Sequence, residues 1–484
     1  MQVYEPMQGL ILLAIYGVFV YTATFKFARG TLTKNSFLVA DRDVKVWPAA
    51  FSIAATWIWA PALFLAAQKA YQQGWVGVFW FTVPNIACLI VFSYFAAKIR
   101  ERVPQGYTIS GYMGSVYSKR VQNIYILGLA GLAVCSFAVQ LIAGGAVVVA
   151  LTGLPYLPTT IILAVMALGY SAYSGLKASV LTDYLQMGII GLVLFVAVPA
   201  VVVKAGGFSA VTNGLNGFSG EFNSLFSGAG GNVFWTFGLT TTLGLLAGPF
   251  GDQSFWQRAF ATKKDVVKSA FFRGAFVFGI VPVLGSLLGF VANSQGLVVD
   301  DPQLVNLATV LNNLPAWTAI PFVFMLFSGL VSTLDSNLSS VSSVVGHDLL
   351  QKNYESDNPD KAISDMELVK IARIGMIVLC FGAVMIANIP GMKILYLFLF
   401  YGMIRAATLI PTIYTLIKGY VSEAGMFYGV LASLVIGLPT YAYGAFQNIN
   451  SLKVIGTLLV TFLSGVIVWY MTNNTDIKDL AKVE

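Results

Sequence analysis

Apolar runs long enough to span the ~30 Å hydrocarbon core of a bilayer, about 20 helical residues each, recur along nearly the whole chain. Thirteen are distinguished, at residues 7–27, 47–69, 75–98, 121–150, 158–174, 180–203, 233–257, 268–292, 317–343, 370–388, 393–417, 426–445 and 453–472. The pattern predicts an all-α polytopic membrane protein of about thirteen transmembrane helices, with residues 1–484 forming one domain. The first run has Glu5 as its only early charge and no small-residue cleavage pattern, so it reads as a retained span. Two polar stretches interrupt the series. Residues 205–232, rich in Gly, Ser and Asn, read as a flexible loop; residues 346–370 carry mixed charge.

Composition agrees with this pattern and narrows the function. With 57% hydrophobic and 10% charged residues, the chain is not a soluble enzyme. Its three cysteines all lie in apolar runs, which excludes a disulfide scaffold, and a single histidine leaves a zinc site without ligands. The net charge of +7 has a topological origin: of 28 Lys and Arg, 23 fall in alternate connections and 4 in the others, with Arg405 inside a span. The positive-inside rule then puts the N-terminus outside, the C-terminus in the cytoplasm and the chain in a plasma (cell inner) membrane. Nucleic acid is not a partner, and no GxxxxGK[ST] loop is present to drive an ATP-powered pump.

Segments 2 and 7 are composed differently from the rest. AATWIWAPALF contains Pro61, and TTTLGLLAGPFGDQSFWQR contains Gly244, Gly248, Pro249 and Gly251. Each run is expected to break its helix at membrane depth and free backbone groups that lipid cannot satisfy. The breaks lie five segments apart, and five is odd. Segments 2–6 (about 47–203) and 7–11 (about 233–417) therefore have opposite orientation, which is the inverted repeat of secondary transporters; 7–27, 426–445 and 453–472 are peripheral.

Two motifs bear a family resemblance. Gly175-Leu176-Lys177-Ala178-Ser179-Val180-Leu181-Thr182-Asp183-Tyr184-Leu185-Gln186 resembles the signature of the sodium/solute symporters, and Ser328 to Ser336 (SGLVSTLDS) resembles their sodium-binding helix. The resemblance implies the leucine-transporter fold, with inward sodium flow coupled to uptake of a small solute, and no enzymatic activity. Matched to the family pattern, the sodium ligands fall on the carbonyls of Ala55, Ile58 and Gly329 and the hydroxyls of Ser332 and Thr333. Hard oxygen donors of this kind suit sodium, although such hydroxyls also back-bond within membrane helices. In some members the positions of Asp183, Ser332, Asp335 and Ser336 form a second sodium site or an exit relay.

The solute is expected between the two breaks, near the bilayer midplane. Trp57, Trp59 and Phe250 offer faces for a small planar molecule, and Thr56, Gln140, Thr241 and Gln253 offer hydrogen bonds. Gly251 to Gln257 (GDQSFWQ) and the Trp-x-Trp-Ala run resemble the family's urea-transporting branch. Arg405 admits two readings: it grips the carboxylate of a small organic anion, or it pairs with Asp252 or Asp335 inside the protein. The sequence thus favours a urea- or amide-like neutral solute, with an organic anion or an uncoupled channel or uniporter as alternatives.

Overall fold

A computed structural model describes residues 2–27, 33–351, 363–476 and 481–482. Residues 352–362 of the charged stretch lie outside the described residues, as do Arg29 and Lys478 of the charge count. The helices, in chain order, are α1 (Pro6–Phe27), α2 (Lys34–Val39), α3 (Val46–Trp57), α4 (Ala66–Arg102), α5 (Ile109–Val116), α6 (Lys119–Thr152), α7 (Tyr156–Lys204), α8 (Phe208–Asn213), α9 (Gly228–Val233) and α10 (Leu239–Leu246). They continue with α11 (Gln253–Ala261), α12 (Val267–Ser294), α13 (Val305–Asn313), α14 (Ala319–Ser343), α15 (Asp365–Ala387), α16 (Ile394–Ile417), α17 (Glu423–Ala432), α18 (Leu438–Phe446) and α19 (Asn450–Asn473).

Among the described residues, 11 helical stretches are long and apolar enough to cross a membrane. The two remaining apolar runs are the broken ones. Segment 2 stops at Trp57 after 12 residues and resumes at Pro61, while segment 7 stops at Leu246 and resumes at Gln253. The first break does not fall where proline alone would put it. Ala60, directly before Pro61, is helical, and the chain leaves the helix at Ile58 (ψ 70°). Pro61 instead sits in the first turn of the next helical run, where a missing N–H breaks no intrahelical bond. The exposed Ala60 N–H donates to Gln140 Oε1 of α6 at 2.7 Å, so the break is capped by a side chain from a neighbouring span.

The two broken helices run in opposite directions. Just before α3, the Val44 N–H donates to the Ala261 carbonyl (3.1 Å) and the Val44 carbonyl accepts from Lys263 N–H (3.0 Å), immediately after α11. The start of one broken helix and the end of the other therefore lie at the same face. Around them α12 packs along α3 and α4, and α14 packs along α6 and α7. The whole of α11 is buried. Long α7 turns at Gly175 (φ 59°), within the symporter-like motif, and so contributes two spans.

Residues 205–232 differ from the expected flexible loop. They carry α8 and the start of α9, and two backbone bonds, Trp75 N–H to Leu215 O (2.8 Å) and Phe218 N–H to Tyr71 O (2.9 Å), pin the segment to the junction between segments 2 and 3. Its polar composition reflects backbone hydrogen bonding rather than freedom. Cysteines introduced at exposed positions of this stretch are expected to react with an impermeant maleimide from outside, and cysteines in 258–268 only from the cytoplasm. Labelling of both from one side would refute the topology.

Candidate functional site

Two polar clusters occupy the centre of the bundle, one on each side of α3 and α11. The first joins α3, α7, α11 and α14. Asp183 Oδ2 accepts from the Ser52 hydroxyl at 2.6 Å and from Arg258 Nη2 at 3.0 Å, and Oδ1 accepts from the Ser332 hydroxyl at 2.5 Å. Arg258 also donates through Nε to Ser52 Oγ (2.9 Å) and through Nη2 to Ser336 Oγ (2.7 Å). Thr56 donates to the Ser52 carbonyl (2.8 Å), which leaves the Ser336 hydroxyl to donate to Thr56 Oγ1 at 3.0 Å. Asp335, one turn from Ser332, accepts at Oδ1 from Ser171 of α7 at 2.5 Å.

Arg258 is the residue that sequence reasoning missed. It was counted with the loop charges because it follows an apolar run, yet the structure buries it completely, 3.0 Å from Asp183. A buried carboxylate demands a partner, and Asp183 was the signal that could have found it. The guanidinium touches both Asp183 and Ser336, two of the residues matched to a second sodium site. At this position the protein already holds a fixed positive charge.

The residues matched to the first sodium site are divided between two environments. Ile58 and Gly329 face each other so closely that a Cβ on Gly329 would lie 3.0 Å from the Ile58 carbonyl oxygen. Thr333 Oγ1 lies 3.2 Å from the Gly329 carbonyl and 3.4 Å from that of Thr56. Ala55 closes the same turn, its carbonyl accepting from Ile58 N–H at 3.1 Å. The Ile58 carbonyl thus lies against Gly329, while the Thr333 hydroxyl back-bonds along α14 and reaches toward the Thr56 carbonyl, so α14 packs its hydroxyl face on the break. Ser332 is not on that face. Successive helical residues point about 100° apart, so its hydroxyl turns to Asp183 while Thr333 turns to the break.

The second cluster lies between the breaks. Trp57 and Trp59 stack with ring centroids 4.4 Å apart, and Arg405 of α16 places its guanidinium carbon 4.8 Å from the Trp59 ring, 5.3 Å from Trp57 and 4.8 Å from Tyr401. Arg405 Nη2 donates to Asp252 Oδ2 at 2.9 Å, while Asp252 Oδ1 caps α11 by accepting from Ser254 N–H. Two glycines of the second break allow this approach: a Cβ on Gly248 would lie 2.4 Å from the Trp57 ring, and one on Gly251 2.7 Å from Arg405 Cα. Trp59 Nε1, Tyr401 Oη and Arg405 Nε are buried and find no hydrogen-bond partner among the described residues, and neither does Thr241 Oγ1 on α10. Buried polar atoms without partners are rare and costly, and three of these four sit around one aromatic platform.

The other expected solute contacts are engaged elsewhere. Phe250 packs edge-on against Phe92 and Phe95, and the aromatic that meets Trp57 is Phe255, at 5.0 Å. Gln253 donates to the Tyr107 carbonyl and Ser343 Oγ and accepts from Ile109 N–H, which ties α11 to α5. Gln140 caps the first break, and Thr56 belongs to the Asp183 cluster. Sequence position alone does not reveal which way each of these side chains turns.

A sequence profile described as the sodium:solute symporter family matches residues 37–433, which include both breaks and both clusters. The chain belongs to the sodium:solute symporter family. Among its relatives, the urea-proton symporter DUR3 of Oryza sativa subsp. japonica is 23% identical over 466 residues, 88% of this chain and 63% of the relative's length. The urea active transporter of Saccharomyces cerevisiae is 22% identical over 418 residues, covering 81% of this chain and 56% of the relative. This chain thus spans less than two thirds of either urea relative. The sodium/pantothenate symporter of Haemophilus influenzae is 25% identical over 451 residues, 90% of each chain. In structure, a Na+-coupled sialic acid symporter superposes with a TM-score of 0.76 at 15% identity, over 95% of this chain and 97% of that one. That likeness shows the fold, which is the leucine-transporter arrangement that the family resemblance implied.

Proposed function

We propose that this multi-pass membrane protein is a sodium-coupled symporter that imports a small neutral solute of the urea or amide type by alternating access. The observation that carries the choice of solute is the 2.9 Å pairing of Arg405 with Asp252. The guanidinium's charge is balanced inside the protein, so a carboxylate solute would have to displace Asp252 and leave it buried without a partner. Three unpartnered donors remain beside the stacked indoles: Trp59 Nε1–H, Arg405 Nε–H and Tyr401 O–H. They suit a carbonyl oxygen, and the indole faces suit a planar molecule. The urea-transporting relatives support the same class.

For coupling, the reading is one sodium, held by the Ala55, Ile58 and Gly329 carbonyls and the Thr333 hydroxyl, with Ser332 available on rotation away from Asp183. Arg258 stands where a second cation would bind Asp183 and Ser336. The two repeats are taken as about 47–203 and 233–417, and the first break contributes to both the cation and the solute site.

Radiolabelled urea uptake into proteoliposomes, driven by an inward sodium gradient, tests this reading. The Ser332→Ala, Thr333→Ala double variant is expected to raise the sodium concentration for half-maximal uptake about tenfold or more, equivalent to losing one or two charge-assisted contacts. Sodium dependence unchanged in the double variant would sink the cation site. Urea uptake that ignores sodium but follows a proton gradient would overturn sodium as the coupling ion.

A further inference from the structure

Lys69 ends the second apolar run of the sequence, where a lysine is expected to reach water, yet it is only 4% exposed. It stands on the half of segment 2 beyond the first break, in the helical run that Pro61–Leu65 begins and α4 continues. Its ammonium lies over the ring of Phe237, 4.2 Å from the centroid, and among the described residues it has no hydrogen bond and no ion pair. Arg258 and Arg405, buried as well, each have an aspartate. Lys69 has only an aromatic face. A ring returns less than the hydration that a buried ammonium gives up, so this charge is left for something else to balance.

The wall around Lys69 offers further donors. Phe237 belongs to the short run Phe234–Gly238 that leads into α10 and the second break. Trp80 packs on the same run: its ring lies 4.9 Å from that of Phe234, and a Cβ on Gly238 would lie 2.9 Å from the indole. The Trp80 Nε1–H is buried and has no partner among the described residues, and neither has the hydroxyl of Thr241, one turn beyond Phe237. A hydroxyl can donate or accept, but an ammonium and an indole N–H can only donate. The surplus at this contact is therefore positive charge and hydrogen-bond donors together, and the closeness of the rings leaves room only for something small.

We infer that the contact of Lys69 with the Phe234–Gly238 run is a binding site for a small monovalent inorganic anion of the halide type. The Lys69 ammonium supplies the opposite charge, the Trp80 N–H a directed hydrogen bond, and the Thr241 hydroxyl a third donor from α10. Such an anion ties together the halves of the two broken segments that lie away from the Val44 stitch. It occupies neither the solute platform nor the cation site, so the assignment stands apart from the identity of the solute.

The melting temperature of the purified full chain, compared in sodium chloride and in sodium gluconate of equal ionic strength, tests the site without any solute. Gluconate carries the same charge on a body too large to enter. Chloride is expected to raise the melting temperature saturably, by about 2 °C. Lys69→Met keeps the length of the side chain and removes its charge. In gluconate this variant should melt above the unmodified protein, the reverse of most buried substitutions, and chloride should no longer shift it. Lys69→Arg should keep the chloride response, and Trp80→Phe should raise the half-saturating chloride concentration about tenfold. Equal melting temperatures of the unmodified protein in the two salts, or a chloride response that survives Lys69→Met, would each overturn the inference.

Discussion

Replacing Arg258 by glutamine is expected to remove most of the folded protein from the membrane. The guanidinium is fully buried and bonded to Asp183, Ser52 and Ser336, with Asp335 on the neighbouring face of α14. Its loss leaves buried carboxylates without a cation, and breaking a buried pair from one side costs about 3–5 kcal/mol, a large part of a fold's net stability of roughly 5–15 kcal/mol. Lysine should rescue only partly, because one ammonium cannot reach all three partners at once. Adding Asp183→Asn to Arg258→Gln removes the stranded charge and should restore expression, read as monodisperse protein and melting temperature. A melting temperature unchanged in Arg258→Gln alone would show that the cluster is not held together as described.

The Arg405–Asp252 pair yields the second large effect, and it also separates the solute classes. Arg405→Gln strands Asp252 at a similar cost of about 3–5 kcal/mol. Yield should fall, and Arg405→Gln with Asp252→Asn should recover it, because asparagine caps a helix N-terminus as well as aspartate does. In the recovered double variant, urea binding should be weakened rather than abolished, since the Trp57–Trp59 stack and the Tyr401 hydroxyl remain. Trp59→Ala should be the more harmful change for binding, removing both a stacking face and a donor. Normal yield with lost binding in Arg405→Gln would instead mean that the guanidinium serves the solute directly, and the organic anion would become the better reading.

The architecture was legible because its signals are extended. Spans, loop charge and the two interrupted runs each involve many residues, and their spacing of five segments carries the inverted orientation seen in the bonding of Val44 to Ala261 and Lys263. Placement of the candidate site residues was legible only where the backbone sets it. Ala55 and Ile58 lie at the break because the break is a property of the chain's path, and Gly329 of α14 meets it by packing on Ile58. Side-chain partners were less accessible. Arg405 could be matched to either of two aspartates on charge grounds, and only the fold brings Asp252 to 2.9 Å. Phe250 and Phe255 are five residues apart on opposite sides of the helix start, and Trp57 meets the second rather than the first. Arg258 was hidden by its position at the end of an apolar run.

The backbone stitch at Val44 also has a mechanical meaning. Because its N–H and its carbonyl are both bonded to the chain at the end of α11, the start of one broken helix and the end of the other form a single hinge plate. A swing of α3 would drag α11 along, and with it Asp252 at the far end of that helix. On the proposed function, release of the ion and loosening of the solute platform are then two readings of one lever stroke.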